Sequence, residues 1–429
     1  MYSLLFVAVA AVGGRFVGAT AGAPECQIPE EREAAAAIVA MGGNVNVRDG
    51  RVLEVGAPWG RRRFTDADMP LLAHFQEAKA IGLAHSPITD AGLVHLAGLK
   101  KLAMLNLEGD AITDRGLEII GRIESLESLH LSHTRVTGTG LKALANLKHL
   151  IALLLDGTQV GDEGMPYVAA HNGLVSLVTG DRVTPAGLAQ IQALTNLDTL
   201  YVPNGTDEAA LAYLARMDKL RSIGGFKIVS DAGLRHVSNL TGVLSLDVRK
   251  SKITDAGLAY LKPLRKLRTL WLDDTGIGDA GLASLRDLVQ MRGLRLTDTA
   301  VTDAGLRHLT AMLALQELDL GRTRVSDAGL KDVARLRSLL HLRLDFTRVT
   351  DAGLPALKPL AELQELGLSA TAVTDDGIQQ LASHKKLSHL HLFKTKVTYA
   401  GAQRLQGEIP ALWLVDLDFA IEGRKPVTY

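Results

Sequence analysis

Residues 267–290 read Leu-Arg-Thr-Leu-Trp-Leu-Asp-Asp-Thr-Gly-Ile-Gly-Asp-Ala-Gly-Leu-Ala-Ser-Leu-Arg-Asp-Leu-Val-Gln. Leu270 and Leu272 alternate with Trp271, the period of two expected of a strand with one buried face. Thr275 follows Leu272 by three residues, and Ile277 turns inward. Asp279 carries a carboxylate suited to accept hydrogen bonds from free amides, which predicts a helix N-cap there. Leu282, Leu285 and Leu288 then recur every three residues, as a short helix with one inward stripe requires. The unit is strand, loop, helix, loop.

The unit returns along the chain. Asp-Ala-Gly-Leu begins at Asp90, Asp231, Asp255, Asp279, Asp303, Asp327 and Asp351, and from Asp231 onward it recurs every 24 residues. Degenerate copies stand at Asp114-Arg115-Gly116-Leu117, Gly138-Thr139-Gly140-Leu141, Asp162-Glu163-Gly164-Met165, Pro185-Ala186-Gly187-Leu188 and Asp375-Asp376-Gly377-Ile378. Glycine-phase positions from Asp68 to Gly401 give about 15 units of roughly 23–24 residues, a period that signals a stacked array. Such an array buries its leucines in one continuous core and presents a repeated outer surface. Proline placement agrees. Pro70, Pro166 and Pro355 share one phase and Pro185 follows the Thr of its motif. Proline is tolerated at a helix start and disruptive further in, so the helices begin around Asp-Ala-Gly.

These motifs resemble the leucine-rich-repeat superfamily, whose consensus is Leu-x-x-Leu-x-Leu-x-x-(Asn/Cys/Thr)-x-(Val/Ile). The Ile/Val-Thr-Asp-Ala-Gly-Leu segment is similar to the cysteine-containing, ribonuclease-inhibitor-like subclass. Thr134, Thr158, Thr275, Thr299, Thr323, Thr347, Thr371 and Thr395 stand where that subclass has cysteine. The resemblance covers roughly residues 65–417 and implies an α/β solenoid, a horseshoe with a parallel concave sheet and short convex helices. A threonine hydroxyl in that column is expected to bond backbone groups of the adjacent turn.

The flanks read differently. Leu4 to Val12 form a short apolar run, and Ala19-Thr20-Ala21 fits a signal-peptidase site, so residues 1–21 read as a secretory signal and the chain as exported, periplasmic or secreted. No Lys or Arg precedes that run; a buried helix or an over-extended start is the alternative, with a cytoplasmic chain. Residues 28–64 read as an N-terminal cap: a helix over 30–41 with acids at its positive end, then strands flanking Asp49-Gly50, a hairpin signal. Repeats occupy 65–408, and 409–429 close the chain with a last strand and a tail. No later stretch is long and apolar enough to span a bilayer.

Of 429 residues, Lys plus Arg and Asp plus Glu are 47 each, so no general attraction for nucleic-acid phosphates is expected. Aromatics are only 4%, which makes the core aliphatic. Cys26 is the one cysteine, which excludes an intramolecular disulfide and a cysteine-rich metal site.

Recognition should lie in the residue between the two strand leucines, which points away from the core. Two groups stand out. Leu154, Val178, Tyr201 and Phe226 form an apolar strip where the repeat decays: Asp207-Glu208-Ala209-Ala210 replaces the usual phrase, and Gly224-Gly225 interrupts a strand. The strip reads either as a docking patch or as imperfect repeats. Trp271, Arg295, Asp319, Arg343 and His391 should line the C-terminal half, beside His341, Asp345, Phe346, His389 and Phe393. Trp and Arg are favoured anchors at interfaces. The alternating charges of Arg295, Asp319 and Arg343 can equally pair across strands. His389, His391 and His341 read as surface histidines rather than a metal site.

Chemistry is not signposted. There is no phosphate loop ending in Lys-Ser/Thr, no His-Glu-x-x-His and no Gly-x-Ser-x-Gly. The repeated Asp is periodic, whereas catalytic residues are singular. The expectation is a non-enzymatic binding protein that meets a protein partner on its concave face, with no cofactor, metal or nucleic acid. Two alternatives stand beside it. The resemblance implies the substrate-recognition half of an F-box-type ubiquitin ligase, although nothing N-terminal to the repeats resembles an F-box. A structural envelope or surface protein is the other.

Overall fold

The computed structural model describes residues 26–57, 64–202, 208–214, 217–225 and 230–415. The expected signal segment 1–21, Phe226 and the tail beyond 415 lie outside the described residues. The chain divides into two compact units, Met1–Gly225 and Phe226–Tyr429, each a leucine-rich-repeat solenoid segment with a parallel sheet on one side and short helices on the other.

Unit 1 opens with α1 (Pro29–Ala40), whose first turn holds a proline and the acids Glu30 and Glu31, both favourable at the positive end of a helix. Strands β1 (Asn44–Arg48) and β2 (Arg51–Gly56) pair antiparallel around Asp49 and Gly50. Both turn residues have positive φ, as a two-residue hairpin turn requires. Buried Glu31 accepts from Arg51 Nε at 2.9 Å and Nη2 at 2.8 Å, which ties the helix to the hairpin. From β2 the sheet runs parallel through β3 (Ala80–Gly82), β4 (Met104–Asn106), β5 (Ser128–His130), β6 (Ala152–Leu154), β7 (Ser176–Val178), β8 (Thr199–Tyr201) and β9 (Ser222–Gly224). Leu105, Leu129, Leu153, Leu177, Leu200 and Ile223 form its buried ladder.

Unit 2 repeats the plan with β10 (Ser245–Asp247), β11 (Thr269–Trp271), β12 (Gly293–Arg295), β13 (Glu317–Asp319), β14 (His341–Arg343), β15 (Glu365–Gly367), β16 (His389–His391) and β17 (Trp413–Val415). Neighbours pair parallel, with Leu246, Leu270, Leu294, Leu318, Leu342, Leu366 and Leu390 in register. Burying each such leucine contributes about 1.5–3 kcal/mol.

The turn after each strand has fixed chemistry. Asp274, Asp298, Arg322 and Phe346, each just before a column threonine, adopt positive φ of 57°, 60°, 55° and 58°. The hydroxyls of Thr275, Thr299 and Thr323 donate to the carbonyls of Leu272, Leu296 and Leu320 at 2.6 Å. The column therefore closes its own turn rather than bonding an adjacent one.

The repeated Asp does something other than cap its helix. Gly278 holds the cap position before Asp279, and Thr302 holds it before Asp303, so the Asp is the first helical residue. Its carboxylate reaches forward to the next coil. Asp279 accepts from Thr302 N at 2.8 Å and from Thr302 Oγ1 at 2.6 Å, while the same hydroxyl accepts from Ala304 N at 3.2 Å. Asp303 to Ser326, Asp327 to Thr350 and Asp351 to Thr374 repeat the link. The glycine of the phrase makes room for it: a Cβ on Gly281 would lie 2.5 Å from Asp255 Oδ1. Asp-Ala-Gly-Leu is thus an inter-coil lock, and the cap position falls to the preceding residue, whose hydroxyl caps the helix where it is Ser230 or Thr302.

Unit 1 holds this lock at Asp66, Asp90, Asp114 and Asp162. Gly138 occupies the Asp place in one coil, and the next coil instead bonds Gly161 N to its own Glu163 at 3.2 Å. The expected strand interruption does not occur: Gly224 remains in β9 and pairs with Tyr201. Where the usual phrase is replaced, a helix spans Glu208–Tyr213.

Candidate functional site

The helix side and the leucine ladders are periodic, so distinctive chemistry must sit on the sheet face. Each strand offers it the residue between its leucines and those two positions before and after, because alternate residues share a face. Strand spacing of about 4.8 Å brings equivalent side chains into contact.

In unit 1 this packing reverses an expectation. Leu154 and Val178 stand side by side in register, yet they are only 3% and 2% exposed. Neighbouring rungs, His130 on one flank and Tyr201 on the other, cover them, and Tyr201 itself is half-buried. They do not project as a free apolar strip. Beside them His130 Nε2 meets Ser128 Oγ at 3.1 Å, and burial alone pushes the imidazole down to about 4. Both residues are buried, so this Ser–His pair offers no open face to a substrate.

In unit 2 Trp271 is 4% exposed, again against the expectation of a projecting side chain. It is not in the leucine core. The Arg249 guanidinium lies 4.6 Å from its ring centroid and that of Arg295 lies 5.4 Å away, so two cations cover the indole. Both arginines are held. Arg249 bonds Asp247 through Nε at 2.8 Å and Nη2 at 2.7 Å, and Arg295 Nε stands 3.2 Å from Asp273 Oδ2. Burial raises the Asp273 carboxyl above the usual range, against the pull of Arg295.

The charges expected to pair along the central column pair elsewhere. Arg343 Nη2 donates to Glu365 at 2.9 Å, and Asp319, which is buried, accepts from Gly321 N at 2.9 Å. His391 Nε2 lies 3.2 Å from the same Glu365 oxygen. That hydrogen bond, helped by Arg343, holds the Glu365 carboxyl down at about 2. Glu365 also stands in register between His341 and His389, which separates the two imidazoles. Among the described residues no group of three His, Cys, Asp or Glu is placed to hold a metal. On the rim, Phe346 is exposed, with the Arg322 guanidinium 4.1 Å from its ring centroid.

Of the sequence-chosen positions, the structure brings Trp271, Arg295, Asp319, Arg343 and His391 onto one face of unit 2. Leu154, Val178 and Tyr201 share the face of unit 1. Arg249, Asp273, Glu317 and Glu365 were missed. All lie two residues from the central column, so the same alternation that singled out Trp271 could have found them.

A family-model match and one solved structure agree with this architecture. A family model described as Leucine Rich repeat matches residues 123–145. A leucine-rich-repeat protein of Leptospira interrogans superposes with a TM-score of 0.53 at 15% identity, covering 80% of this chain and 85% of its own. An internalin of Listeria monocytogenes aligns with a TM-score of 0.49 at 17% identity, over 93% of this chain and 98% of its own. No curated protein shows significant sequence similarity to this chain.

Proposed function

We propose that this leucine-rich-repeat protein is a non-enzymatic recognition module that binds a protein partner on its sheet face, chiefly in unit 2. One observation carries the reading: buried and half-buried charges with an arginine-covered Trp271 are gathered on a face whose frame does not need them. Arg295, Arg343 and His391 present surface to the partner, while Trp271 and Asp319 support them from beneath. Leu154 and Val178 play that supporting part for Tyr201 in unit 1. Affinity then comes from a few anchors rather than from total area.

The test is capture of the partner from extracts of the producing cell by the immobilised full chain. Arg343→Glu combined with His391→Ala should abolish capture while circular dichroism still shows a folded chain. Undiminished capture by that folded variant rejects the assignment to unit 2.

Export completes the reading. Its support is the apolar run Leu4 to Val12 and the Ala19-Thr20-Ala21 segment. Among the described residues no helix is long and apolar enough to cross a membrane. Protein recovered outside the cytoplasm should begin near Gly22; cytoplasmic protein retaining Met1 contradicts this.

A further inference from the structure

We infer that one edge of unit 2, where the chain returns from each helix to the next strand, docks on an anionic lipid surface. The inference is independent of the sheet-face role, because the edge lies beside that face and docking there leaves it open.

Charge placement is the first argument. The chain as a whole is neutral, yet its charges are not evenly mixed. The returning segments of unit 2, from 262–268 to 406–412 in steps of 24 residues, hold eleven Lys and Arg against the acids Asp287, Glu362 and Glu408. All of these side chains are exposed. On the opposite edge, from 249–255 to 393–399, ten Asp stand against eight Lys and Arg. Each acid of the basic edge is matched locally: Asp287 by Arg286 at 3.7 Å, Glu362 by Lys386 at 2.7 Å and Glu408 by Lys385 at 4.0 Å. Eight cations remain without an acid on this edge, among them Arg265, Lys266 and Arg268 in one coil and Arg335 and Arg337 in another.

The helix dipole favours cations at helix C-termini, which accounts for a modest excess. Unit 1 has the same coil plan, and its returning segments, from 73–79 to 215–221, hold eight Lys and Arg against five acids. The dipole acts on both units alike, so it does not account for the larger surplus of unit 2.

A second observation is independent of charge. Val289 and Leu313, at one phase in consecutive coils, are 50% and 62% exposed. Arg265 and Arg337 hold that phase in the coils on either side, so the row reads Arg, Val, Leu, Arg. The coils touch here: Arg292 N donates to Arg268 O at 2.6 Å, and Gln316 N to Arg292 O at 2.8 Å. Core packing does not need the two side chains, because Leu288 and Met312, one residue earlier, fill it. Exposed Ala311 and Ala314 widen the apolar part of the row.

A bilayer surface matches both features. Its headgroup phosphates meet the cations, and the acyl boundary just beneath them takes aliphatic side chains out of water. A nucleic acid matches only the first. Its phosphates offer Val289 and Leu313 no apolar slot, and the returning segments carry no Phe, Tyr or Trp on which a base could stack.

The experiment is sedimentation of the full chain with vesicles of phosphatidylcholine and phosphatidylglycerol in equal parts, beside vesicles of phosphatidylcholine alone. Low salt keeps charge pairing unscreened. The charge variant is Arg265→Glu/Lys266→Glu/Arg337→Glu, and the apolar variant is Val289→Ser/Leu313→Ser. The control reverses three exposed cations on the opposite edge, Lys252→Glu/Arg324→Glu/Arg348→Glu, and so has the net charge of the charge variant. Wild type should bind the anionic vesicles and not the neutral ones. The control should bind within about twofold of wild type, the apolar variant roughly fivefold more weakly and the charge variant roughly tenfold or more weakly. No binding of anionic vesicles by wild type overturns the inference, as does equal weakening by control and charge variant. An apolar variant that binds these vesicles as wild type does also overturns it; a double-stranded oligonucleotide bound equally well by wild type then assigns the edge to nucleic acid.

Discussion

The sheet faces of the two units share a backbone plan and differ in nearly every side chain. On unit 1 the row two residues before the central column is Ala80, Met104, Ser128, Ala152, Ser176, Thr199 and Ser222. It is uncharged and, Met104 apart, small. The matching row of unit 2 ends in Glu317, His341, Glu365, His389 and Trp413, the last 71% exposed. The leucine ladders beneath are interchangeable. What separates the units is therefore not folding, which both faces permit, but what each presents: a row of mostly small, uncharged side chains on one, oriented charge on the other. The frame differs in one respect. Unit 2 carries an unbroken run of Asp locks, whereas unit 1 loses the Asp at Gly138 and again at Pro185.

The comparison breaks first if the ladders are not equivalent. Leu318→Ala in unit 2 and Leu129→Ala in unit 1 should each cost about 2–5 kcal/mol in urea unfolding, since both leucines are fully buried. A cost near zero in either unit would mean that its strand phase is wrong.

A subtler asymmetry lies in the turn column, where unit 1 places Asp110 in the position Thr134 holds one coil later. Burial pushes the Asp110 carboxyl up to about 9 from an ordinary 3.8. The folded chain thus keeps a proton that the unfolded chain releases. Stability tied to it is complete below the ordinary value and falls as pH climbs toward 9, by about 1.4 kcal/mol per pH unit. Asp110→Thr should raise the melting temperature, more at about pH 8 than at about pH 5. A pH-independent difference would remove this account.

The locks come next. Asp303→Asn weakens two hydrogen bonds accepted by a charged group and should cost about 1.5–3 kcal/mol. Smallest is Glu365→Gln. The Glu365 carboxyl is held at about 2 against an ordinary 4.5, so its contribution is present above the ordinary value and lost as pH falls through 2. Wild type should lose melting temperature across that acid window more steeply than Glu365→Gln.

Periodicity made most of the fold legible. Strand alternation, proline phase and the Asp49-Gly50 hairpin each rest on interactions within a few residues. The Asp lock was misread as a cap because its partners lie 23 residues ahead, and sequence shows the repeat without showing which coil the carboxylate reaches. The site was half legible. Alternation placed Trp271 on the correct face, but its burial follows from Arg249 and Arg295 folding over the ring, a matter of side-chain geometry. The Glu365 hub was hidden for the same reason: its partners sit on the strands to either side.

The central claim is that lock and ladder hold the fold while the face of unit 2 is free for recognition. It is tested most directly by urea unfolding of Asp303→Asn and Arg343→Gln side by side. The midpoint should fall clearly for Asp303→Asn and by less for Arg343→Gln, where Glu365 keeps its contact with His391. An unchanged Asp303→Asn with a destabilised Arg343→Gln would contradict it.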